Sequence, residues 1–265
     1  MGSLEHANWF MRVLFSSMCL IIVVSVLLAQ RGRAMFIRRI PGLAAVEEAV
    51  GRATEMGRPM FFSPGLSGIG IVTLQALAVL SYIVRLAAAR ATRIIVGICD
   101  PTVYPVAEEA VREAYTTAGQ PQGFRSEDVR FVSDQQFAYA LGSIGLMARE
   151  EVATNFFFGM FFAESLILAE NGRSLGALQV AGCPDPVQIP FFIATCDYVV
   201  IGDEYYAASA YLTHEPTLTG SLVGQDIVKA LLVALVVLGV GLATWFGLTG
   251  NEQYNFLLKL LATGT

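Results

Sequence analysis

One stretch of the chain, from Pro59 to Asp100, constrains the fold more than any other. It contains a short apolar run, a glycine-rich turn, a long segment with almost no charge, and a second apolar run. The second run is rich in β-branched residues and has no polar alternation, which is typical of a strand that helices cover on both faces. This order predicts the strand, turn, helix and strand that open a parallel α/β domain.

The alternation of strands and helices continues along the central part of the chain. Strands are predicted at 59–62, 93–100, 129–133, 154–158, 177–181 and 197–201, with helices in 66–89, 101–115, 135–149, 163–171, 187–195 and 204–212. Such repeated β/α units imply a doubly wound, mostly parallel sheet of Rossmann type, because right-handed crossovers place helices on both faces. The fold class expected from the sequence is therefore α/β.

Two uncharged segments, one towards each end of the chain, are predicted to cross a membrane. Trp9 to Ala29 and Ala230 to Leu248 are long enough to span the hydrocarbon core, and each carries Trp and Phe near one end. Four arginines follow the first segment within ten residues, whereas a single arginine, Arg12, lies on its other side. The positive-inside rule then places the central domain in the cytoplasm and both termini outside.

These assignments give a domain plan for a multi-pass membrane protein with one soluble domain. The plan has a tail and first membrane helix (1–30), a basic segment with an amphipathic helix over Leu43 to Met56 (31–58), an α/β domain (59–222), a second membrane helix (226–248) and a C-terminal tail (249–265). The tail carries apolar residues from Tyr254 to Leu261, which predict a short interfacial or partner-binding helix.

The segment from Leu66 to Val84 has two interpretations. Its hydropathy is compatible with a third membrane span, whereas Thr73, Gln75 and the strand and turn before it favour a helix packed on the sheet. In the second case the helix is apolar nearly all round, so its outward face needs to be covered by lipid, another element or another subunit.

Charge and residue content exclude several classes of function. The net charge of −5 leaves no basic surface for nucleic acid. The four cysteines form no CxxC pair and the two histidines lie far from them, so we expect no metal site and reduced thiols.

Candidate ligand-binding residues follow the predicted strands, because ligands of open α/β sheets bind at the carboxyl ends of the strands. They are Ser63, Gly65, Ser67, Gly68, Gly70, Asp100, Thr102, Ser133, Asp134, Gly182, Asp185, Gly202, Asp203 and Glu204. A glycine-rich turn that opens a helix can bind phosphate through backbone N–H groups and the helix dipole. Gly65, Ser67, Gly68, Gly70 and Asp100 are therefore the cofactor-binding candidates.

The spacing of the glycine turn argues against a nucleotide. Gly65-x-x-Gly68-x-Gly70 reverses the dinucleotide fingerprint, Asp100 lies farther along than the usual ribose-binding acid, and the turn has no basic residue. The alternative is a tight turn whose glycines let helix and strand approach closely. No cofactor is predicted, and a nucleotide remains the alternative hypothesis.

Three further acids are candidates at the ligand edge. Glu164 lies in an apolar segment and is predicted to be buried, as a general acid or base or as a helix cap or ion-pair partner. Asp203 and Glu204 can bind a cation or polar ligand, or simply begin a helix whose dipole favours acids. Only His214 is available as the base of a triad, and it lies in a polar turn, so no catalytic residue is assigned.

Several segments resemble an uncharacterised family of prokaryotic membrane-anchored proteins that carry a domain of unknown function. They are Arg38-Arg-Ile-Pro-Gly42, Glu47 to Pro59, Ala207 to Leu212 and Gly224-Gln-Asp226, and the resemblance covers most of the chain from Arg38 to Lys229. It implies an α/β domain held between membrane segments in the cytoplasmic membrane of a prokaryote. It implies no catalytic residue, substrate or cofactor.

The sequence leads to two hypotheses for the function. The first is a structural or scaffolding subunit in a homo-oligomer or a larger membrane complex, with the lipid bilayer as a further partner. The second is a membrane-tethered enzyme or sensor that binds a nucleotide or metabolite at Gly65 to Gly70 and Asp100.

Overall fold

The computed structural model describes residues 9–32, 40–213 and 216–249, which belong to two compact units. The α/β unit is Arg38–Thr213, and the helical pair is formed within Met1–Ile37 and His214–Thr265. The apolar C-terminal tail from Tyr254 to Leu261 and the arginines at 33, 38 and 39 lie outside the described residues.

The elements follow one another in the order that the sequence predicts. They are α1 (Trp9–Gln30), α2 (Pro41–Met56), β1 (Met60–Gly65), α3 (Ile71–Ala89), β2 (Ile94–Ile98), α4 (Tyr104–Thr117), β3 (Val129–Phe131), α5 (Gln136–Arg149), β4 (Thr154–Met160), α6 (Glu164–Ser174), β5 (Leu178–Cys183), α7 (Ile189–Thr195), β6 (Tyr198–Ile201), α8 (Ala208–Thr213) and α9 (Pro216–Thr249). Short 3₁₀ turns lie at Pro121–Gly123, Ser126–Asp128 and Gly202–Tyr205.

The six strands form one sheet in the order β3-β2-β1-β4-β5-β6, and every neighbouring pair is parallel. This is the strand order of the Rossmann fold, with the switch in direction between β1 and β4. The predicted doubly wound parallel sheet is therefore confirmed. The four central strands β2, β1, β4 and β5 are buried along nearly all of their length because helices cover both faces.

Each face of the sheet has its own layer of helices. Side chains of α5, α6 and α7 pack with those of β1, β4 and β5 in an aromatic-rich core that contains Phe61, Tyr139, Phe157 and Phe192. On the other face α3 contacts β1 and β4, and α4 contacts α3 and β3.

The predicted amphipathic helix after the basic segment is α2, and its partner is the sheet of its own chain. Leu43, Val46 and Val50 are buried, and α2 contacts β4, β5 and β6. Gly42 allows the close approach, because a Cβ there would lie 2.8 Å from the Val200 side chain. The helix thus covers the part of this face that α3 and α4 leave bare.

The apolar helix α3 packs on the sheet as the β1–β2 crossover. It is long and apolar enough to span a membrane, yet half of its residues are buried within the α/β unit. Of the covers that the sequence left open for its outward face, the structure shows other elements of the same chain for most of the length of α3, because α2, α4 and α8 lie against it. Its first turns are the exception, since Ile71 and Leu74 are exposed.

Two predicted boundaries in the α/β unit need correction. Ser63 and Gly65 were expected in the turn, but β1 continues to Gly65 through an irregularity in its pairing with β4, where Gly65 lies beside Met160. The helix expected over 204–212 is interrupted, because Gly202–Tyr205 forms a 3₁₀ turn before α8 begins at Ala208. Both features depend on contacts that are distant in sequence.

The helical pair consists of α1 and α9, which contact each other. Within the described residues Met11–Gln30 and Pro216–Trp245 are also long and apolar enough to span a membrane. The second helix begins at Pro216, well before the predicted 226, because small residues let it continue against α1. Cβ atoms at Gly220 and Gly224 would lie 2.8 Å and 2.9 Å from the backbone of α1.

Candidate functional site

The structure brings the glycine turn and Asp100 together at the carboxyl edge of the sheet. A Cβ on Gly68 would lie 3.0 Å from Oδ2 of Asp100, so the two cofactor-binding candidates are immediate neighbours. Gly70 is the N-cap of α3 and is exposed, while Thr73 donates its hydroxyl to the carbonyls of Ser67 and Gly68. The turn is therefore fixed by its own helix.

Asp100 holds the turn between β2 and α4. Its Oδ1 accepts hydrogen bonds from the backbone N–H and the hydroxyl of Thr102, at 2.7 Å and 2.5 Å. The hydroxyl and the N–H of Thr102 keep the pKa of Asp100 below its usual value. This carboxylate is ionised at neutral pH and faces the place where a phosphate over the glycine turn would sit.

The same arrangement recurs after other strands. Ser133 accepts a hydrogen bond from the N–H of Gln135 at 3.1 Å, and Asp185 accepts one from the N–H of Val187 at 2.9 Å. Glu164 accepts one from the N–H of Phe162 at 2.8 Å. N–H groups where a strand turns into a helix are the natural ligands of phosphate. At each of these turns one N–H group is already bonded to an oxygen of the chain.

Glu164 is fully buried, as the sequence predicts. Besides the N–H of Phe162, its carboxylate accepts a hydrogen bond from the side-chain amide of Gln136 at 2.5 Å. Among the described residues Glu164 forms no ion pair. It joins the turn before α6 to the start of α5, and it is not a helix cap, because the N-cap of α6 is Ala163.

The thiol beside these acids is unsuited to act as a nucleophile. Burial, and then the negative charges of Glu164, Asp100 and Asp134, raise the pKa of Cys99 to about 11. A thiol with this pKa is protonated at neutral pH, whereas reactive cysteines have lowered values.

The switch point between β1 and β4, where ligands of this fold usually bind, is closed by the chain itself. The N–H of Leu66 donates to the carbonyl of Met160 at 2.9 Å, which extends the pairing of the two strands. Glycine is required there, because Cβ atoms on Gly65 and Gly159 would lie 2.3 Å and 1.9 Å from carbonyl oxygens of the facing strand. Ser63 is also fully buried, 2.6 Å from the Tyr139 hydroxyl.

Asp203 and Glu204 lie in the 3₁₀ turn after β6, which is anchored to the first turn of α3. The hydroxyl of the buried Tyr205 donates to the carbonyl of Val72 at 2.7 Å. The turn therefore contacts the helix that the glycine turn opens. Within the described residues no group of three acids, cysteines or histidines is arranged to hold a metal ion.

The charged residues in the segments that follow the strands at the carboxyl edge are all negative. The segments that follow the strands are 66–70, 99–103, 132–135, 161–163, 184–188 and 202–207, and none of them contains Arg, Lys or His. Their charged residues are all acids, namely Asp100, Asp134, Asp185, Asp203 and Glu204. A phosphate group bound here would meet negative charge without a basic counterpart.

A cavity of about 520 Å³ lies at the opposite, amino edge of the sheet. Its lining includes Arg90, Arg93 and Arg125, none of which the sequence singled out. The signal was weak, because these arginines are spread over two segments that precede different strands. Only the topology, which places the starts of β2 and β3 side by side, brings them together.

Of the three arginines, Arg93 is the one that forms ion pairs with acids of neighbouring elements. Its guanidinium donates to Asp128 at 2.9 Å and to Glu150 at 2.8 Å, and Glu150 also pairs with Arg130 at 3.1 Å. Although burial opposes it, the bonds from Arg93 and Arg130 hold the pKa of Glu150 below its usual value. The network joins β2, β3 and the end of α5.

Comparisons with known proteins identify the family of this chain but indicate no activity. No curated protein and no solved structure matches this chain. A family model described as a domain of unknown function, DUF6754, matches residues 3–254, which is nearly the whole chain. The chain belongs to the DUF6754 family.

Proposed function

We propose that this protein is a membrane-anchored structural subunit whose α/β unit associates with a second copy of the chain through the carboxyl edge of the sheet. The α/β unit lies in the cytoplasm of a prokaryotic cell, and the helices α1 and α9 anchor it in the cytoplasmic membrane with both termini outside. Support for the anchor comes from two helices of the helical pair that are long and apolar enough to span a bilayer.

The observation that carries the proposal is a rim of exposed apolar side chains at the carboxyl edge. The apolar rim comprises Ile69, Ile71, Leu74, Phe131, Phe137, Leu141, Phe162 and Val187. Ile71 is 72% exposed, and Leu141 and Val187 are each 66% exposed. All eight lie at strand ends, in the turns that follow, or in the first two turns of the next helix, so they share this edge. Apolar groups in such number favour protein contact.

A second copy is the partner that the chain's own properties favour. Membrane anchors confine all copies to one plane, which raises their effective concentration and lets a modest apolar contact suffice. The segments that follow the strands at the carboxyl edge also lack the basic residues that phosphate binding favours, so the nucleotide hypothesis at Gly68 and Asp100 has little support. The amphipathic helix α2 is not a candidate for the contact, because the sheet covers its apolar face.

The test is the mass of the intact protein in mild detergent or lipid nanodiscs, by native mass spectrometry. We expect a dimer or larger oligomer for the wild type and a monomer for the double variant Phe137→Glu, Leu141→Glu. The control is Leu175→Glu, which makes one of the same kind of substitution at an exposed leucine of the amino edge and should leave the oligomer intact. A monomeric wild type, or a double variant that remains oligomeric while folded, would contradict the proposal.

A further inference from the structure

The cavity at the amino edge has the size and position of a small-molecule site. Its volume of about 520 Å³ falls within the range of roughly 300–1,000 Å³ that ligand pockets occupy. Its walls are the carboxyl ends of α3 and α4 and the segment that leads to β3. It is separate from the apolar rim, which lies at the other edge of the sheet.

The charge of the cavity is positive. Its lining contains three arginines and no Asp or Glu. The charge of Arg93 is balanced by Asp128 and Glu150. Arg90 and Arg125 form no ion pair within the part of the chain that the structure describes. Two guanidinium groups are therefore available to an anion.

Helix dipoles oppose an anion here, but they are too small to decide the sign. Each helix end contributes about half a negative charge, so α3 and α4 together contribute roughly −1 against +2 from Arg90 and Arg125. The last carbonyls of both helices are also hydrogen-bonded. Ala87 O accepts from Thr92 N at 2.9 Å, and Tyr115 O accepts from Gln120 N at 3.0 Å. By this count the net charge around the cavity is about +1.

Both walls are fixed before any ligand arrives. Each helix ends in a Schellman motif, in which the residue after the cap has a left-handed backbone: Gly119 at φ 73° after α4 and Ala91 at φ 52° after α3. Glycine is the usual residue at this position, and alanine there is strained. This strained turn carries Arg90 and Arg93 on its two sides, so it sets the spacing of two cavity arginines.

Neutral hydrogen-bond donors complete the lining. Gln120, Gln122 and Tyr115 contribute amide and hydroxyl groups. Burial, followed by the charge of Asp128, raises the pKa of Tyr115, so its hydroxyl stays protonated and can donate at neutral pH. A pocket with free guanidinium groups and neutral donors is suited to a phosphate or carboxylate group attached to a polar body.

We propose that this cavity binds a small anionic metabolite, whose phosphate or carboxylate group contacts Arg90 and Arg125. The site adds ligand binding to the proposed structural role. It does not depend on the apolar rim, so either proposal can fail alone.

The experiment measures binding to the full chain in nanodiscs by calorimetry and by the thermal shift of the α/β unit. The probes are inorganic phosphate and glucose 6-phosphate, with glucose and ionic-strength-matched sodium chloride as negative controls. Both anions should bind saturably and raise the midpoint of unfolding, and the controls should not. The double variant Arg90→Gln, Arg125→Gln should weaken binding at least about tenfold, because each loses a charge-assisted bond.

Arg58→Gln is the matched control, since it removes the same charge from the same edge outside the cavity lining. The affinity of this variant should stay within about twofold of the wild type, because the charge it removes lies outside the cavity lining and is screened. The variant also loses the hydrogen bond from Nε of Arg58 to the Glu151 carbonyl, which affects stability rather than the cavity. Circular dichroism of the variants without ligand checks that each is folded, and the single variants Arg90→Gln and Arg125→Gln replace the double variant if it is not. Absence of saturable binding by both anions, or equal affinity in folded arginine variants, would overturn the proposal.

Discussion

The two edges of the sheet differ in almost every property that governs ligand binding. At the carboxyl edge the charged residues of the segments after the strands are all acids. Hydrogen bonds within the chain hold the turns, and the pairing of β1 with β4 continues to Leu66. At the amino edge an arginine-lined cavity lies between two capped helix ends. Rossmann folds usually bind ligands at the carboxyl edge. The proposed ligand site in the amino-edge cavity exchanges the roles of the two edges.

The comparison shows that strand order fixes where loops meet, while loop residues decide what they can bind. Asp100 stands directly after β2, close to the glycine turn, yet its carboxylate is bonded to Thr102. Arg90 and Arg125 stand before β2 and β3 and have no such partner among the described residues. Substitutions at the carboxyl edge test its tight backbone contacts and its buried acid, and a substitution at the amino edge tests its ion-pair network.

The largest effect is expected from adding one methyl group at the closed edge. Gly159→Ala should lower the free energy of unfolding by about 4 kcal/mol, because φ is 153° and the new Cβ would lie 1.9 Å from the Pro64 carbonyl oxygen. Gly119→Ala at the other edge also has a left-handed backbone but open space around it, so about 1 kcal/mol is expected. Urea denaturation measures the loss of unfolding free energy in both variants, and equal losses would contradict the predicted difference between the two edges.

The next effect concerns the buried acid of the carboxyl edge. Glu164→Leu should cost about 3 kcal/mol, because the Phe162 N–H and the Gln136 amide lose their acceptor. Asp134→Ala, an exposed acid of the same edge, should cost less than about 0.5 kcal/mol. Thermal unfolding gives the comparison. A catalytic acid kept at the expense of stability would show the opposite sign, with Glu164→Leu more stable than the wild type.

The smallest effect is a pH dependence at the amino edge. The folded-state pKa of Glu150 is lowered, so its contribution is present above the unfolded pKa of about 4.3 and is lost as the pH falls through the folded value. The free energies of unfolding of the wild type and Glu150→Gln should differ by roughly 1 kcal/mol at pH 7 and converge once the pH is below the lowered folded-state pKa. Urea titrations across this range measure the gap. A gap that widens at acid pH would show that the network with Arg93 and Arg130 has been assigned wrongly.

Much of the fold could be predicted because it follows from local patterns. The uninterrupted apolar run of β2, the amphipathic stripe of α2 and the alternation of elements are all visible in the sequence, and each has its place in the structure. The burial of Glu164 followed in the same way from its apolar neighbours. What these features share is that a window of about twenty residues contains the whole signal.

The remainder depends on partners that are distant in the chain. The continuation of β1 to Gly65 needs the facing backbone of Met160, and the early start of α9 needs the surface of α1 for Gly220 and Gly224. The arginine cavity needs strand order before Arg90 and Arg125 can be recognised as neighbours. Glycine spacing predicts a site at the carboxyl edge, but it cannot show that Asp100 lies beside Gly68 and is bonded to Thr102.

Hydrogen exchange of the full chain in nanodiscs, with and without saturating inorganic phosphate, tests the exchanged roles of the edges most directly. Phosphate should slow exchange in 88–93 and 118–125 at the amino edge and leave 66–70 and 99–103 unchanged. Protection of the glycine turn and Asp100 segment, with none at the arginine cavity, would return the ligand to the carboxyl edge and contradict the account.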